Sequence, residues 1–525
     1  MRPASRPATL GALRSSGWRS RSVKHELRDN LIARLREGQP VFPGLIGYDQ
    51  TVLPQVEKAL LAGHDFILLG LRGQAKTRLL RALPGLLDEA LPVVEGCEIN
   101  DDPLSPGCTE CRRRLAELGD TLPIAWLARE QRYHEKLATP DTSIADLIGD
   151  IDPIKAATQR LAFSDEGVIH YGIIPRTNRG LFAINELPDL PARIQVGLLN
   201  LLEEGDVQIR GFPVRLRLDM LLVFSANPED YTNRGSIITP LRDRIASQIL
   251  THYPRTLGEA RAITAQEAWV ARPGAVPVAV PEWLADAVEE VAIGARASDF
   301  VDQNSGVSAR VPIALLESVV SGAERRALRT GEDRAVARVA DLVAATPAIT
   351  GKVELVYEGE REGISKVAGH LVGRAIKTVF DRHYPDALAE TARPSRPVRP
   401  AGGTGERRPG GKSASPPPPA PPGSRDEPLS DSVYRPILDH FRRGATVDLA
   451  DDLSTPDMLA RLRAVAGLED VAVAHLEAGD DPTRVAVMEL VLEGLHQSAL
   501  LAKDELAGSR VYRDVFEDMA RSLRD

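Results

Sequence analysis

Apolar positions fall into two regimes along the chain. Between residues 42 and 256, short unbroken apolar runs alternate with stretches of helical spacing. The runs cover residues 66–69, 180–184 and 220–225, while 93–99 reads as a second strand and 168–174 as β-like despite their polar residues. Runs this short, bounded by polar and turn residues, predict buried strands. The helical stretches cover 25–38, 50–61 and 191–203, the last with Ile194, Leu198, Leu199 and Leu202 on one face. Residues 143–162 read as loop and helix. Strand and helix in alternation predict a parallel sheet covered on both sides. From 257 to 385 the pattern changes. Helical periodicity recurs over 287–297, 312–330 and 335–345, and no further buried strand stands out. Residues 386–429 are rich in Pro, Gly, Ser and Arg and include Pro417-Pro418-Pro419, so they predict a linker that cannot bury a core. Apolar periodicity returns over 430–525 with few strand signals, predicting a small helical module that the linker isolates from the rest.

Length and composition narrow the class. A chain of 525 residues exceeds one core. With 43% hydrophobic and 26% charged residues it is globular, and its net charge of -9 argues against nucleic acid as the main partner. The longest apolar runs are far too short to cross a bilayer. Three cysteines do not make a disulfide framework and point to a reducing compartment. Residues 1–24 carry Arg2, Arg6, Arg14, Arg19, Arg21 and Lys24 and no acid. That is also the composition of an organelle transit peptide. The preferred reading is a disordered basic arm, with a helix completing residues 1–40, on a cytoplasmic protein.

The candidate chemistry sits where the first run ends. Phe66–Leu69 is followed by Gly70-Leu71-Arg72-Gly73-Gln74-Ala75-Lys76-Thr77, and Leu79, Leu80 and Leu83 continue at helical spacing. Strand, Gly-containing loop, Lys-Thr and helix is the context of a phosphate-binding loop. Its backbone N–H groups and the helix N-terminus favour an anion. Lys76 would reach the β- and γ-phosphates of ATP, and Thr77 would place a hydroxyl on Mg²⁺. Ala75 stands where such loops usually have a second Gly.

Further motifs follow in order: an insertion running from Cys97 to Cys111 with Asp102-Pro103, then Leu147-Ile148-Gly149-Asp150-Ile151-Asp152, then Asn178-Arg179-Gly180-Leu181-Phe182. With the loop, these make residues 42–345 resemble AAA+ ATPases of the branch that holds the MoxR proteins and the ATPase I subunit of magnesium and cobalt chelatases, the latter more closely. The resemblance implies an AAA+ α/β nucleotide-binding domain over 41–256 and a helical lid over 257–385. Asn185-Glu186 stands where the family has Asp-Glu, at the end of an apolar strand beside the loop. Glu186 would activate the attacking water. Asn185 would bond a Mg²⁺-bound water without bringing a charge. Asn227 matches the sensor-1 position, Arg244 the arginine finger (with Arg242 the near alternative) and Arg310 sensor 2. Ile46 and Gly47 match the segment bordering adenine, beside the loop residues Gly70, Gly73, Gln74, Ala75, Lys76 and Thr77. A finger acting in trans implies a homo-oligomeric ring, hexameric in the family, and the resemblance further implies a partner protein with a von Willebrand A domain.

The resemblance leaves several functions open. The chain can be an AAA+ motor that remodels a partner or drives metal insertion, a genuine magnesium or cobalt chelatase subunit of tetrapyrrole synthesis, a transcriptional activator, or a nucleotide-binding scaffold without turnover. The activators' Gly-Ala-Phe-Thr-Gly-Ala loop is missing between Ser143 and Gly180, and so is the Asp-x-Ser-x-Ser metal site of the large chelatase subunits. Cys97, Cys108 and Cys111 give a C-x₁₀-C-x₂-C spacing that suits zinc, with His64 or His134 as a fourth ligand. Free or redox-sensitive thiols are the alternative.

Overall fold

The computed structural model describes residues 6–159, 166–209, 215–228, 236–274, 276–392, 432–506 and 508–515. Two compact units emerge: Met1–Glu259 with Asn304–Ser308, and Ala260–Gln303 with Ala309–Asp525.

The first unit is built on a five-stranded parallel sheet. Its strands are β1 (Phe66–Leu69), β4 (Tyr133–Leu137), β5 (Gly180–Asn185), β6 (Met220–Ala226) and β7 (Ser247–Leu250), in the order β7-β1-β6-β5-β4. The remaining two strands of this numbering, β2 (Ala90–Val94) and β3 (Ile124–Ala128), form a separate antiparallel pair. Side chains alternate across the central sheet. Phe66, Leu68, Leu181, Ala183, Leu221 and Val223 face one core, with Leu27, Leu31, Val56, Leu60, Leu79 and Leu80 from the helices packed on that side. Ile67, Leu69, Phe182, Ile184, Leu222 and Phe224 face the other, with Ile174, Ile194, Leu198, Leu201 and Leu241. Both faces are buried, which is why these strands read as unbroken apolar runs. Burying a side chain such as Phe66 or Phe224 contributes about 1.5–3 kcal/mol.

Several sequence expectations differ from the structure. The N-terminal residues form an ordered part of the first unit from Arg6 onward. Helices α1 (Leu10–Ser15) and α2 (Val23–Glu37) are both anchored, because Leu10, Leu13, Leu27 and Leu31 are fully buried. Asp219 accepts the Val23 N–H at the start of α2, and Glu26 pairs with the fully buried Arg132 through two bonds of 2.6 and 2.7 Å. The strand expected over 93–99 is β2, ending at Val94, because Gly96 (φ +74°) and Cys97 turn the chain. Strand β4 went unseen, since Tyr-His-Glu-Lys-Leu at a sheet edge has no apolar run. The helix expected over 191–203 is broken into α6 (Ala192–Gly197) and α7 (Leu199–Glu203).

The second unit is mostly helical. Its long helices are α8 (Glu282–Arg296), α9 (Arg310–Thr330), α10 (Ile364–His383) and α11 (Asp481–Gln497). The expected helix over 335–345 begins instead with a short strand, Ala335–Val336, paired parallel with Val278–Ala279. The linker expected over 386–429 falls mostly on residues outside the described ones, although 387–392 are helical.

The C-terminal segment departs further from expectation. It is not purely helical, for β8 (Val447–Ala450), β9 (Leu501–Leu506) and β10 (Ser509–Asp514) form an antiparallel sheet in the order β8-β10-β9. Their charged residues hid them, and several of those charges are buried in pairs. Lys503 and Tyr512 both bond Glu493, at 2.8 and 2.6 Å. Nor is the segment isolated. Helix α11 approaches α10 so closely that a Cβ on Gly494 would lie 2.2 Å from the Phe380 ring. Tyr384 donates to Ala472 at 3.0 Å and Tyr434 to Pro385 at 2.7 Å.

Candidate functional site

Parallel strands bring their C-terminal ends to one edge of the sheet, where open α/β folds bind ligands. The register pairs Leu69 with Ala226 and Phe224 with Ile184, so three strand ends meet there. They lead into Gly70, Asn227 and Asn185-Glu186. Strand β6 lies between β1 and β5, so Asn185-Glu186 is one strand removed from the loop and Asn227 is the nearer residue.

The loop from Gly70 to Thr77 is held from outside. Tyr48 donates to the Gln74 carbonyl at 2.7 Å, with the His252 carbonyl at 3.1 Å. Tyr253 donates to the Arg72 carbonyl at 2.9 Å. Peptides are planar and trans. Fixing these two carbonyls therefore turns the N–H groups of Gly73 and Ala75 to the opposite side. Thr251 Oγ1 lies 3.2 Å from the Leu69 carbonyl and 2.8 Å from Gln74 Oε1, which locks the buried Gln74. Gly70 is required by this packing, because a Cβ there would sit 1.9 Å from Thr251 Oγ1. Gly73 and Ala75 are both left-handed, at φ +73° and +52°. Ala75 thus takes the backbone shape of the glycine it replaces. Lys76 opens helix 76–82, and its buried ammonium group donates to the carbonyls of Gly70 and, at 3.1 Å, Leu71. Thr77 is exposed in the first turn. Arg72 donates to Ser305.

At the neighbouring strand ends, Ser225 donates to Asn185 Oδ1 at 3.0 Å and accepts the Glu186 N–H at 3.4 Å. This one hydroxyl orients both residues. Glu186 itself is left-handed (φ +54°) and half-buried. Asn227 is buried, and its Oδ1 has no hydrogen-bond partner among the described residues. A buried acceptor left unpaired costs about 1–3 kcal/mol, which suits a group that bonds a ligand. Ile46 and Gly47 are half-buried and directly precede Tyr48, so the same anchor ties them to the loop. Gly47 (φ +80°) has Glu259 packed where a Cβ would project.

Two further candidates are Arg244 and Arg310. Arg244 ends helix 239–244 and bonds Glu203 at 2.9 and 2.7 Å, with both side chains partly exposed. Arg310 opens α9 in the second unit and is exposed. Asn178 and Arg179 have structural partners, bonding the carbonyls of Ile99 at 2.9 Å and Pro92 at 2.6 Å.

The cysteines gather elsewhere in the first unit. Ligand atoms of Cys97, Cys108, Cys111 and Asp101 all lie within 4.8 Å of one another. Neither histidine expected as a fourth ligand belongs to this group. His64 bonds Ser247 at 2.8 Å, and His134 sits on β4. Hydrogen bonds from Cys108 and Cys111 hold the Cys97 thiol far down, at about 3, and the Cys108 thiol is pushed up by Cys111 and Cys97. Sequence reasoning missed Tyr48, Thr251, Tyr253, Ser225 and Asp101. Asp101 lies inside the Cys97–Cys111 insertion without standing out there, and only the tertiary contacts reveal the role of all five.

No family profile matches the chain, and no curated protein matches it. Among solved structures, a candidate ATPase from Cytophaga hutchinsonii is similar at 17% identity, covering 70% of this chain and 97% of that one, with a TM-score of 0.27. NtrX from Brucella abortus is similar at 14% identity, with coverages of 60% and 56% and a TM-score of 0.34. A complex of subunits BchI and BchD of magnesium chelatase is similar at 21% identity, with coverages of 62% and 99% and a TM-score of 0.32. At TM-scores this low, the functional reading rests on the chain's own residues and geometry.

Proposed function

We propose that the chain is an AAA+ ATPase that binds ATP at the Gly70–Thr77 loop and hydrolyses it with Glu186 and Asn227. The observation that carries this reading is the convergence of the anchored loop, the Ser225-oriented Asn185-Glu186 pair and Asn227 Oδ1, unpartnered among the described residues, on one sheet edge. Phosphates would sit against the inward N–H groups of the loop, with Lys76 exchanging its carbonyl partners for phosphate oxygens. Ile46 and Gly47 would border the base. Glu186 would take a proton from the attacking water, and Asn227 would hold that water or the γ-phosphate. The residues fit a Mg²⁺ ion that keeps most of its waters: Thr77 offers an exposed hydroxyl, and Asn185 lies beside the Glu186 carboxylate. Bound there, Mg²⁺ would neutralise phosphate charge.

The finer reading is a chelatase-I-like or MoxR-like motor subunit that works in a cytoplasmic homo-oligomeric ring on a von Willebrand A domain partner. The partly exposed Arg244 supports a finger offered to a neighbouring copy, and Arg310 is the proposed sensor 2. Service in tetrapyrrole metal insertion is the specialised form of the same reading.

The test is ATP binding and Mg²⁺-dependent turnover in the wild type and two variants. Lys76→Ala should lose nucleotide binding while keeping its fold. Glu186→Gln should bind ATP, hold the ring in size-exclusion chromatography and not turn over. Unchanged affinity in Lys76→Ala would remove the loop assignment. Binding without turnover in the wild type would leave a nucleotide-dependent scaffold.

A further inference from the structure

The first unit carries a second cluster of chemistry, remote in role from the phosphate loop. Its residues come from two short segments. Beyond β2 the chain folds back on itself: Cys97 N–H bonds the Val94 carbonyl at 3.2 Å, and Val94 N–H bonds the Asp101 carbonyl at 3.0 Å. Left-handed Gly96 and Asn100 make the two corners. This loop presents Cys97 and Asp101 together. The other segment is the start of the helix Thr109–Leu118, where Cys108 is the N-cap and Cys111 lies in the first turn.

We propose that Cys97, Asp101, Cys108 and Cys111 form a structural zinc site. The distances suit it. A tetrahedral ion with Zn–S bonds of about 2.3 Å holds its ligands roughly 3.8 Å apart, and these four ligand groups already lie within 4.8 Å of one another. A small inward movement closes the shell. Three sulfurs and a carboxylate are ligand types that zinc takes, and four protein ligands leave no open position, which makes the site structural.

The surroundings also orient the ligands. Asp101 N–H points at the Cys97 sulfur at 3.4 Å, and Cys111 N–H at the Cys108 sulfur at 3.3 Å. Such bonds steady a thiolate. One Asp101 carboxylate oxygen accepts Cys108 N–H at 2.9 Å, joining the two segments before any ion is considered. Outer bonds of this kind fix ligands in metal sites. Cys108, Cys111 and Asp101 are buried, whereas Cys97 is half-buried and offers an entry path. A buried carboxylate is hydrogen-bonded, neutralised by a proton, or paired with a cation or metal, and among the described residues no Lys or Arg forms an ion pair with Asp101. A plain apolar thiol cluster would account for the three cysteines. It leaves the buried Asp101 carboxylate with hydrogen-bond donors such as Cys108 N–H but no cation among the described residues. The ion would fasten the loop after β2 to the helix Thr109–Leu118, bracing the insertion between β2 and β3.

The experiment uses the full chain purified with reductant and without chelator, and its readout does not depend on ATP turnover. Elemental analysis should find a single zinc per chain, released when the thiols are modified with a mercurial. Exchange into Co²⁺ should give tetrahedral d–d absorption with a sulfur-to-cobalt charge-transfer band sized for three thiolates. Asp101→Asn, which keeps the shape of the side chain, should retain that band and lose zinc affinity by about 10–100-fold, the range known for removing even an outer partner. A chain that stays metal-free after incubation with Zn²⁺ would overturn the proposal. So would Co²⁺ binding without the sulfur band, or unchanged zinc affinity in Asp101→Asn. The wild-type measurements decide the matter even if the variant fails to fold.

Discussion

Ala75 shows how a single residue can carry strain at a functional turn. Its left-handed backbone at φ +52° is the conformation a glycine would adopt freely. For an L-residue that conformation costs roughly 1–2 kcal/mol. Replacement with glycine removes the strain but adds about 0.5–1 kcal/mol of unfolded-state entropy. Ala75 is exposed, so losing its methyl group sacrifices little packing. Ala75→Gly should therefore steady the loop by about 0.5–1 kcal/mol, and it should tighten ATP binding about two- to fivefold. Equilibrium titration with a fluorescent ATP analogue checks this. Weaker binding in the variant would mean that the alanine methyl contributes a contact of its own. Asn185 is the companion case. The amide oxygen accepts from Ser225, so the position is built around an acceptor, and the charge of the family's aspartate is not needed to hold it in place.

At the scale of elements, the Gly70–Thr77 loop gets its shape from neighbours far away in sequence. Tyr48 precedes helix 52–62, while Thr251 and Tyr253 follow β7. Tyr48→Phe removes the donor to the Gln74 carbonyl and should cost about 1–3 kcal/mol of loop order, read as at least fivefold weaker ATP binding. The effect should not vary with pH near neutrality. Burial pushes the Tyr48 hydroxyl up to about 12, above its usual value of about 10. The folded chain therefore holds this proton more tightly than the unfolded one. Its contribution is complete below about pH 10 and fades as pH climbs toward 12. Affinity ratios of wild type to Tyr48→Phe measured from about pH 7 to about pH 9 should be flat. A ratio that shrinks over that range would show the hydroxyl ionising early and overturn the upward shift, whereas a ratio near one throughout would remove the hydroxyl as the anchor. The same elements mark how far the sequence could be read. Strands β1, β5 and β6 are buried on both faces, so their apolar runs declare them, and the loop carries its own spacing. Strands β9 (Leu-Ala-Lys-Asp-Glu-Leu) and β10 (Ser-Arg-Val-Tyr-Arg-Asp) carry charged residues and no apolar run, and Lys503 and Arg510 look solvent-facing until Glu493 and Glu489 supply buried partners. Asp101 and Ser225 are ordinary polar residues in sequence. Only folding sets one among three sulfurs and the other between Asn185 and Glu186.

At the scale of the whole molecule, the second unit depends on its C-terminal part through charge as much as through apolar packing. Glu489 on α11 is fully buried, 3.4 Å from Arg338 Nε and 3.5 Å from Arg510. Its carboxylate costs desolvation, which those two arginines overcome, so it is held below the usual carboxylate range. Arg338 also donates to the Asp451 carbonyl at 3.0 Å, and its N–H bonds Asp341 at 2.9 Å, which in turn pairs with Arg326. A chain ending at residue 392 keeps Arg338 and Asp341 and loses Glu489, Arg510 and Asp451. It also uncovers Phe380 and Tyr384, which now pack against α11 and Ala472. Removing one partner of a buried pair costs about 3–5 kcal/mol, and native domains are stable by only about 5–15 kcal/mol. The truncated chain should therefore lose the fold of 260–392, seen as protease cleavage within that span and loss of helical circular dichroism. Nucleotide binding, whose residues lie in the first unit, should persist within a few-fold. Glu489→Ala in the full chain separates charge from packing. It leaves α11 in place and should lower stability by about 3–5 kcal/mol in urea. If the truncated chain resists protease as the full chain does, the C-terminal segment is an independent module and the buried charges serve it alone. If Glu489→Ala is neutral while truncation unfolds the unit, packing against α10 carries the dependence and the ion network does not.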